Sequence, residues 1–362
     1  MPPTNISSAS CFSKPMMLHN PNFRALCSTY THHMILLFII TLLCLQITTS
    51  SITPSNETDH LALLKFKESI DIDPHGILSS WNISIQFCNW HGITCGRHHQ
   101  RVTALELEAH KLRGTITPYI GNLTFLRAIN LQNNSFYGEI PKEVGHLFRL
   151  QYLRLSNNTL GGEIPTSLTN CTQLRVLHIL LNKLIGKIPM ELGSLTKIFS
   201  IQLSANNLTG GIPPSLGNLS LLVHFSLAYN NIEGNIPESI GHLKSLVRLL
   251  AGPNKLIGMI PSSFYNISSI RVVSFTKNQL SGTLTANIGL TLPNLQKFGI
   301  GDNEFFGSIP SSLCNASQLQ IFDVRINNFV GSVPINLGNL VDLEFLNLGS
   351  NNLGRELDFL KL

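Results

Sequence analysis

Cys88, His91, Cys95 and His98 follow one another with the spacing C-x2-H-x3-C-x2-H. Thiolates and imidazoles in that pattern are a donor set for a tetrahedral zinc ion. The same cysteines can instead join as a disulfide, which an oxidising compartment favours. His91 and His98 would then be ordinary loop residues. The rest of the chain has to decide between these chemistries.

A second chemistry is covalent modification. Beyond the leader, acceptor sequons N-x-S/T begin at Asn56, Asn82, Asn122, Asn133, Asn157, Asn170, Asn207, Asn218, Asn266 and Asn315. A lone sequon says little, but this many in one chain speak for passage through the secretory route. Residues 1–33 are polar and rich in Ser and Thr, and Met34 to Leu45 form an apolar run. The run is shorter than the ~20 apolar residues of a comfortable membrane span. It reads as a signal-peptide core, with small residues at a cleavage site near Ser50. If uncleaved, it would be a signal anchor and the chain's one membrane contact. Met16, Met17 or Met34 are alternative start residues.

Catalysis is not legible. There is no nucleophile elbow, HExxH, phosphate loop or kinase signature set. Asp358-Phe359-Leu360 stands without any other kinase element. Glu139, Glu143 and Glu163 read as solvated acids. The chain is therefore expected to be no enzyme and to need no cofactor or metal. Its formal charge is +5 and only 12% of residues are charged, with no Lys/Arg run to track phosphates, which argues against nucleic acid. Histidine titrates near 6.5 when unperturbed. His178 and His224 fall at outward strand positions, so partner binding through them is expected to be pH-sensitive.

The elements that position these residues repeat. Leucine-like residues recur every 24 residues from Val102 through Leu126, Leu150, Leu174, Ile198, Leu222, Leu246 and Ile270. They continue at Leu295, Leu319 and Leu343 after one inserted residue. Each repeat reads LxxLxLxxNxLxGxIP. A period in this range signals a solenoid, with no repeat able to bury its own leucines. Alternating residues such as Leu153 and Leu155 go inward from a short strand. The asparagines (134, 158, 182 and onward) are expected as a ladder satisfying backbone groups. The glycines (114, 138, 162 and onward) suit positive φ or close backbone approach. The Ile-Pro pairs suit an extended segment.

The two-residue period also lists the outward positions. Tyr152, Arg154, His178, Leu180, His224, Tyr229, Arg248 and Leu250, with Gln202 among them, form an aromatic, cationic and apolar stripe. It is the expected ligand-binding surface, since Tyr and Arg are common interface anchors. Val176, Ser200, Ser156 and Ala228 are expected to point outward beside it. Ahead of the repeats, Asp59, Leu61, Leu63, Leu64, Phe66 and Ile70 have helical spacing, with Asp59 as N-cap.

The LxGxIP element resembles the plant-type leucine-rich repeat of extracellular receptors, over residues 57 to 353. The resemblance implies an α/β repeat solenoid. It would be a right-handed superhelix with parallel strands on the concave face and an N-terminal helical cap. Cys88-Asn-Trp90-His-Gly92-Ile-Thr-Cys95 resembles that cap, whose paired cysteines, with the secretory signals, favour a Cys88–Cys95 disulfide over zinc. Cys171 and Cys314 are expected as buried thiols beside convex turns, too far apart to pair. The expected division is a leader over 1–50, a cap over 51–101 and about eleven repeats over 102–362. The last repeat reads as incomplete and uncapped.

Full-length proteins of this kind resemble immune receptor kinases that sense bacterial peptides. The expectation is the recognition part of such a receptor-like kinase, ending ahead of the membrane span and kinase. Its expected place is the apoplast or the outer face of the plasma membrane. The expected partners are a peptide or protein ligand on the concave face and a co-receptor ectodomain. The alternatives are a secreted inhibitor of cell-wall-degrading enzymes, or a decoy or nonfunctional fragment. Glycans at Asn122, Asn170, Asn218, Asn266 and Asn315 would share one side of the coil.

Overall fold

The structure is a computed structural model that describes residues 56–354. The leader expected over 1–50 and the stretch from Arg355 to Leu362 lie outside the described residues.

The repeat period becomes a solenoid. Each repeat supplies one short strand to a twelve-stranded sheet. Neighbouring repeat strands are parallel and offset by one repeat. Tyr152 faces Val176, Val176 faces Ser200, Ser200 faces His224, and His224 faces Arg248. The middle residues Leu153, Leu177, Ile201, Phe225 and Leu249 are buried, as a period of two requires.

Asn158 shows how each repeat is tied to the next. Its Nδ2 donates to the carbonyls of Leu131 and Leu155 at 3.0 Å, and to Ser156 at 3.3 Å. Its Oδ1 accepts from the Phe136 backbone N–H at 2.8 Å. The same pattern recurs at Asn182, Asn206, Asn303 and Asn327. A buried amide can hold both donor and acceptor there because backbone groups of adjoining repeats need partners.

Past the asparagine, the LxG segments form a second set of short strands, in sheets of four and six. Gly162 takes φ 68° at this turn, a conformation glycine adopts without a Cβ clash. Gly114 shows the other expected reason, close backbone approach. It is absent from the positive-φ positions, and a Cβ there would lie 2.2 Å from the Ser69 carbonyl oxygen. Close approach of the cap is what requires it.

The convex helical stretches are five-residue 3-10 helices, such as Thr166–Asn170 and Pro214–Asn218. The proline of each Ile-Pro pair stands at the N-cap. Pro165 has φ −67°, and its carbonyl accepts from the Leu168 N–H at 3.1 Å. A residue with no N–H loses nothing at that position.

The cap helix α1 spans Asn56–Glu68 and buries Asp59, Ala62, Leu63 and Phe66. Asp59 is not the N-cap: it lies inside the helix, with its carboxylate on Arg101 and the Val102 N–H. Leu61 is 51% exposed, so Ala62 takes the inward place. Ile70 is not helical but begins the strand Ile70–Ile72, antiparallel to Arg113–Thr115. Trp81 and Trp90 stack at 5.3 Å, and their indole N–H groups donate to the carbonyls of His91 and Ile85. The strand Ile93–Cys95 then pairs antiparallel with Val102–Glu106. It covers the first edge of the sheet, as an exposed strand edge requires. At the far end Leu343, Leu346, Leu348 and Leu353 are only partly buried.

Candidate ligand-binding surface

The two-residue period places the stripe residues in two rows on one face of the sheet. Arg154 faces His178, His178 faces Gln202, Gln202 faces Ser226, and Ser226 faces Leu250. The parallel row carries Tyr152, Val176, Ser200, His224 and Arg248. Tyr229 sits at the turn off its strand, with φ 57° and 66% exposure. Leu180 lies just past the strand of His178 and is half-buried.

Not every expected outward residue is available. Val176, Ser200, Ser156 and Ala228 are buried. Ser200 Oγ lies 2.8 Å from His178 Nε2.

That environment corrects the expected protonation of His178. Burial, then the nearby charges of Arg154 and His224, push its pKa down to about 4. His224 shifts the same way, through burial and Arg248. His178 is therefore neutral throughout the range in which a pH switch was expected.

Over the middle of this face the charge is one-sided. The seven strands from Tyr152–Arg154 to Lys297–Gly299 carry Arg154, Arg248 and Lys297, and no carboxylate. Arg154 lies 5.4 Å from the Tyr152 ring centroid, a cation–π arrangement. Among the described residues, neither Arg154 nor Arg248 forms an ion pair.

One feature of the face falls outside the sequence reading. Glu108 accepts from Asn130 Nδ2 at 2.9 Å, Gln132 Nε2 at 2.5 Å and Asn133 Nδ2 at 3.2 Å. The hydrogen bond from Gln132, then that from Asn130, lowers its pKa. Asn157 Nδ2 extends this network to Asn133 Oδ1 at 3.0 Å. The same period of two, carried back one repeat from Ala128, Asn130 and Gln132, reaches Glu108. The face thus has an acidic end at the first repeat and a basic stretch beyond it.

Cys88 and Cys95 form a disulfide with Cα atoms 5.5 Å apart, so neither is a zinc thiolate. Cys171 is buried, and burial pushes its thiol up to about 12. Cys314 is only half-buried, short of the full burial expected. Asn122, Asn170, Asn218, Asn266 and Asn315 each end a 3-10 helix and are exposed. Asn56, Asn133, Asn157 and Asn207 are exposed too, whereas Asn82 is half-buried and donates to the Ser79 carbonyl.

Comparison with known proteins agrees with this architecture. A leucine rich repeat N-terminal domain matches residues 56–96, and leucine rich repeats match 125–147, 149–171, 197–219 and 221–243. The chain is a capped leucine-rich repeat protein. It is homologous to the ectodomains of plant leucine-rich repeat receptor kinases.

Over 77 residues it is 53% identical to the LRR receptor-like serine/threonine-protein kinase EFR of Arabidopsis thaliana, covering 21% of this chain and 8% of that protein. The crystal structure of PEPR1–AtPEP1 superposes with a TM-score of 0.74 at 33% identity, over 82% of this chain and 45% of that one. The Arabidopsis receptor kinase HAESA, in complex with the peptide hormone IDA and the co-receptor SERK1, gives 0.60 at 26% identity, over 82% and 58%. The matches span 7–8% of the length of the first curated relatives.

Proposed function

We propose that this chain is an extracellular recognition module of a plant receptor-like kinase system, taking an extended, acidic peptide or protein segment on the outward face of its sheet. The observation that carries the reading is the run of seven strands bearing Arg154, Arg248 and Lys297 without a carboxylate. Arg154 and Arg248, without an ion pair among the described residues, complement carboxylates on a ligand, and complementarity of this kind sets register and on-rate. Tyr152, Tyr229, Leu180 and Leu250 supply apolar anchors beside them. The HAESA complex, with its peptide hormone and co-receptor, supports a peptide ligand and a co-receptor ectodomain as partners here.

The chain works in the apoplast or at the outer face of the plasma membrane. The Cys88–Cys95 disulfide and the exposed sequons support that place. The sequon asparagines are the proposed glycan acceptors, and those ending the 3-10 helices lie away from the recognition strands.

The test is a binding screen of the secreted, glycosylated chain against acidic and basic peptide pools. Acidic ligands should be retained, and Arg154→Ala should weaken them by about 1–3 kcal/mol, as truncated anchors do. Binding that is indifferent to both Arg154→Ala and Tyr229→Ala would remove this surface from consideration. Inhibition of a pectinase by the same preparation would favour an inhibitor of cell-wall-degrading enzymes instead.

A further inference from the structure

His91 belongs to the disulfide loop of the cap, and His110 to the turn that leaves the first repeat strand. Their Nε2 atoms lie 3.1 Å apart, with the ring planes at 74°. Both backbones are pinned. The His91 N–H donates to Ser80 Oγ at 3.1 Å, and its carbonyl accepts from Trp81 Nε1 at 2.9 Å. The His110 N–H donates to Asn134 Oδ1 at 3.1 Å.

We propose that His91 and His110 form a two-imidazole chelate for a divalent transition-metal ion of the zinc type, which staples the cap to the first repeat. Zinc binds imidazole nitrogen at about 2.0–2.1 Å, and nitrogens 3.1 Å apart then subtend roughly 100° at the metal. That angle falls between octahedral and tetrahedral values; the two nitrogens share a hydrogen bond, and the ring that donates it would bind a metal as its Nδ1–H tautomer. The site lies at the surface, where water completes the coordination. Imidazole is a preferred ligand for zinc, copper and nickel, so ligand type agrees with geometry.

Among the described residues no group of three or more His, Cys, Asp or Glu side chains is placed as a metal site. The chelate is therefore a two-residue one, distinct from the C-x2-H-x3-C-x2-H pattern, whose cysteines are consumed by the disulfide.

The experiment titrates the glycosylated full chain with Zn2+ by calorimetry, beside His91→Gln, His110→Gln and His98→Gln. The expected result is a saturable equivalent in the parent chain, weakened about tenfold or more in His91→Gln and His110→Gln and unchanged in His98→Gln. Zinc should also raise the unfolding temperature of the parent, since a ligand bound only to the folded state stabilises it. Nitrogen chemical shifts of the two rings, read on the parent chain, test the same assignment without relying on a variant. Absence of zinc binding by the folded parent, or ring shifts unmoved by zinc, would overturn the proposal. So would equal affinity in all variants.

Discussion

Asp59 of the cap helix and Arg101, just ahead of the first repeat strand, meet in a buried two-point ion pair. Nη2 lies 2.7 Å from Oδ1 and Nε 2.9 Å from Oδ2. The same carboxylate accepts the Val102 backbone N–H at 2.8 Å, and the guanidinium carbon lies 4.6 Å from the Phe125 ring centroid. The helix is thereby fastened to the strand edge at which the sheet begins.

Replacing Asp59 with Ala should cost about 3–5 kcal/mol, because it removes a buried carboxylate that binds the Arg101 guanidinium at two points and the Val102 N–H. A solenoid couples only neighbouring repeats, so the loss should be local. Hydrogen exchange should accelerate in α1 and in Ile93–Glu106 and stay unchanged beyond Leu222. Unaltered exchange in the cap would show that the pair does not hold it.

His178 should titrate near 4, as followed by its ring carbon proton in NMR. Its folded pKa lies below the unfolded value, so the unfolded chain binds more protons between about pH 4 and 6.5. The stability it contributes is complete above that window and is lost as pH falls through it. Denaturation midpoints should decline from pH 6.5 to 4.5 by less in His178→Gln than in the parent. A midpoint titration near 6.5 for His178 would contradict this.

Asn206 carries the ladder without being a sequon. Asn206→Ala strips the Leu184 N–H of its acceptor and the carbonyls of Ile179 and Leu203 of their donor. Leaving such a buried group unsatisfied costs about 1–3 kcal/mol each. Urea denaturation should show a loss at the upper end of that range or above it. A change below about 0.5 kcal/mol, the level of an ordinary surface substitution, would count against the ladder.

Two glycines make a matched control. A Cβ at Gly114 would sit 2.2 Å from the Ser69 carbonyl oxygen, whereas one at Gly161 meets nothing within 4 Å. Gly114→Ala should destabilise by about 1–3 kcal/mol through forced backbone movement. Gly161→Ala should be neutral or slightly stabilising, since it only restricts the unfolded chain. Thermal melts of the two variants side by side decide it.

The periodic part of this molecule was legible because periodicity is a local signal. Leu153, Asn158, Gly162 and Pro165 each recur at a fixed offset, and each takes the role that its chemistry demands. The two outward rows followed from the same period, since register between similar repeats needs no further information. Singular contacts were not legible. Asp59 looked like an N-cap because its partner Arg101 is far along the chain. Ile70 looked helical because its pairing with Gly114 is set by tertiary packing. His91 was read with His98 by sequence spacing, whereas its spatial neighbour is His110. The neutral state of His178 depends on its burial and on Arg154 and His224, which lie on other strands.

The residue inserted before Leu295 has a consequence for how such a molecule can change. Ile270 and Leu295 are 25 positions apart, yet Val272 still faces Lys297 and Ser274 still faces Gly299. The 3-10 helix of other repeats is here the short α-helix Ile288–Thr291, and Asn303 still accepts from the Leu280 N–H at 3.0 Å. Extra length is taken up on the back, while the rows on the front keep step. Insertions on one side and substitutions on the other are thus separate degrees of freedom. The outward rows can diversify residue by residue without inheriting the accidents of repeat length.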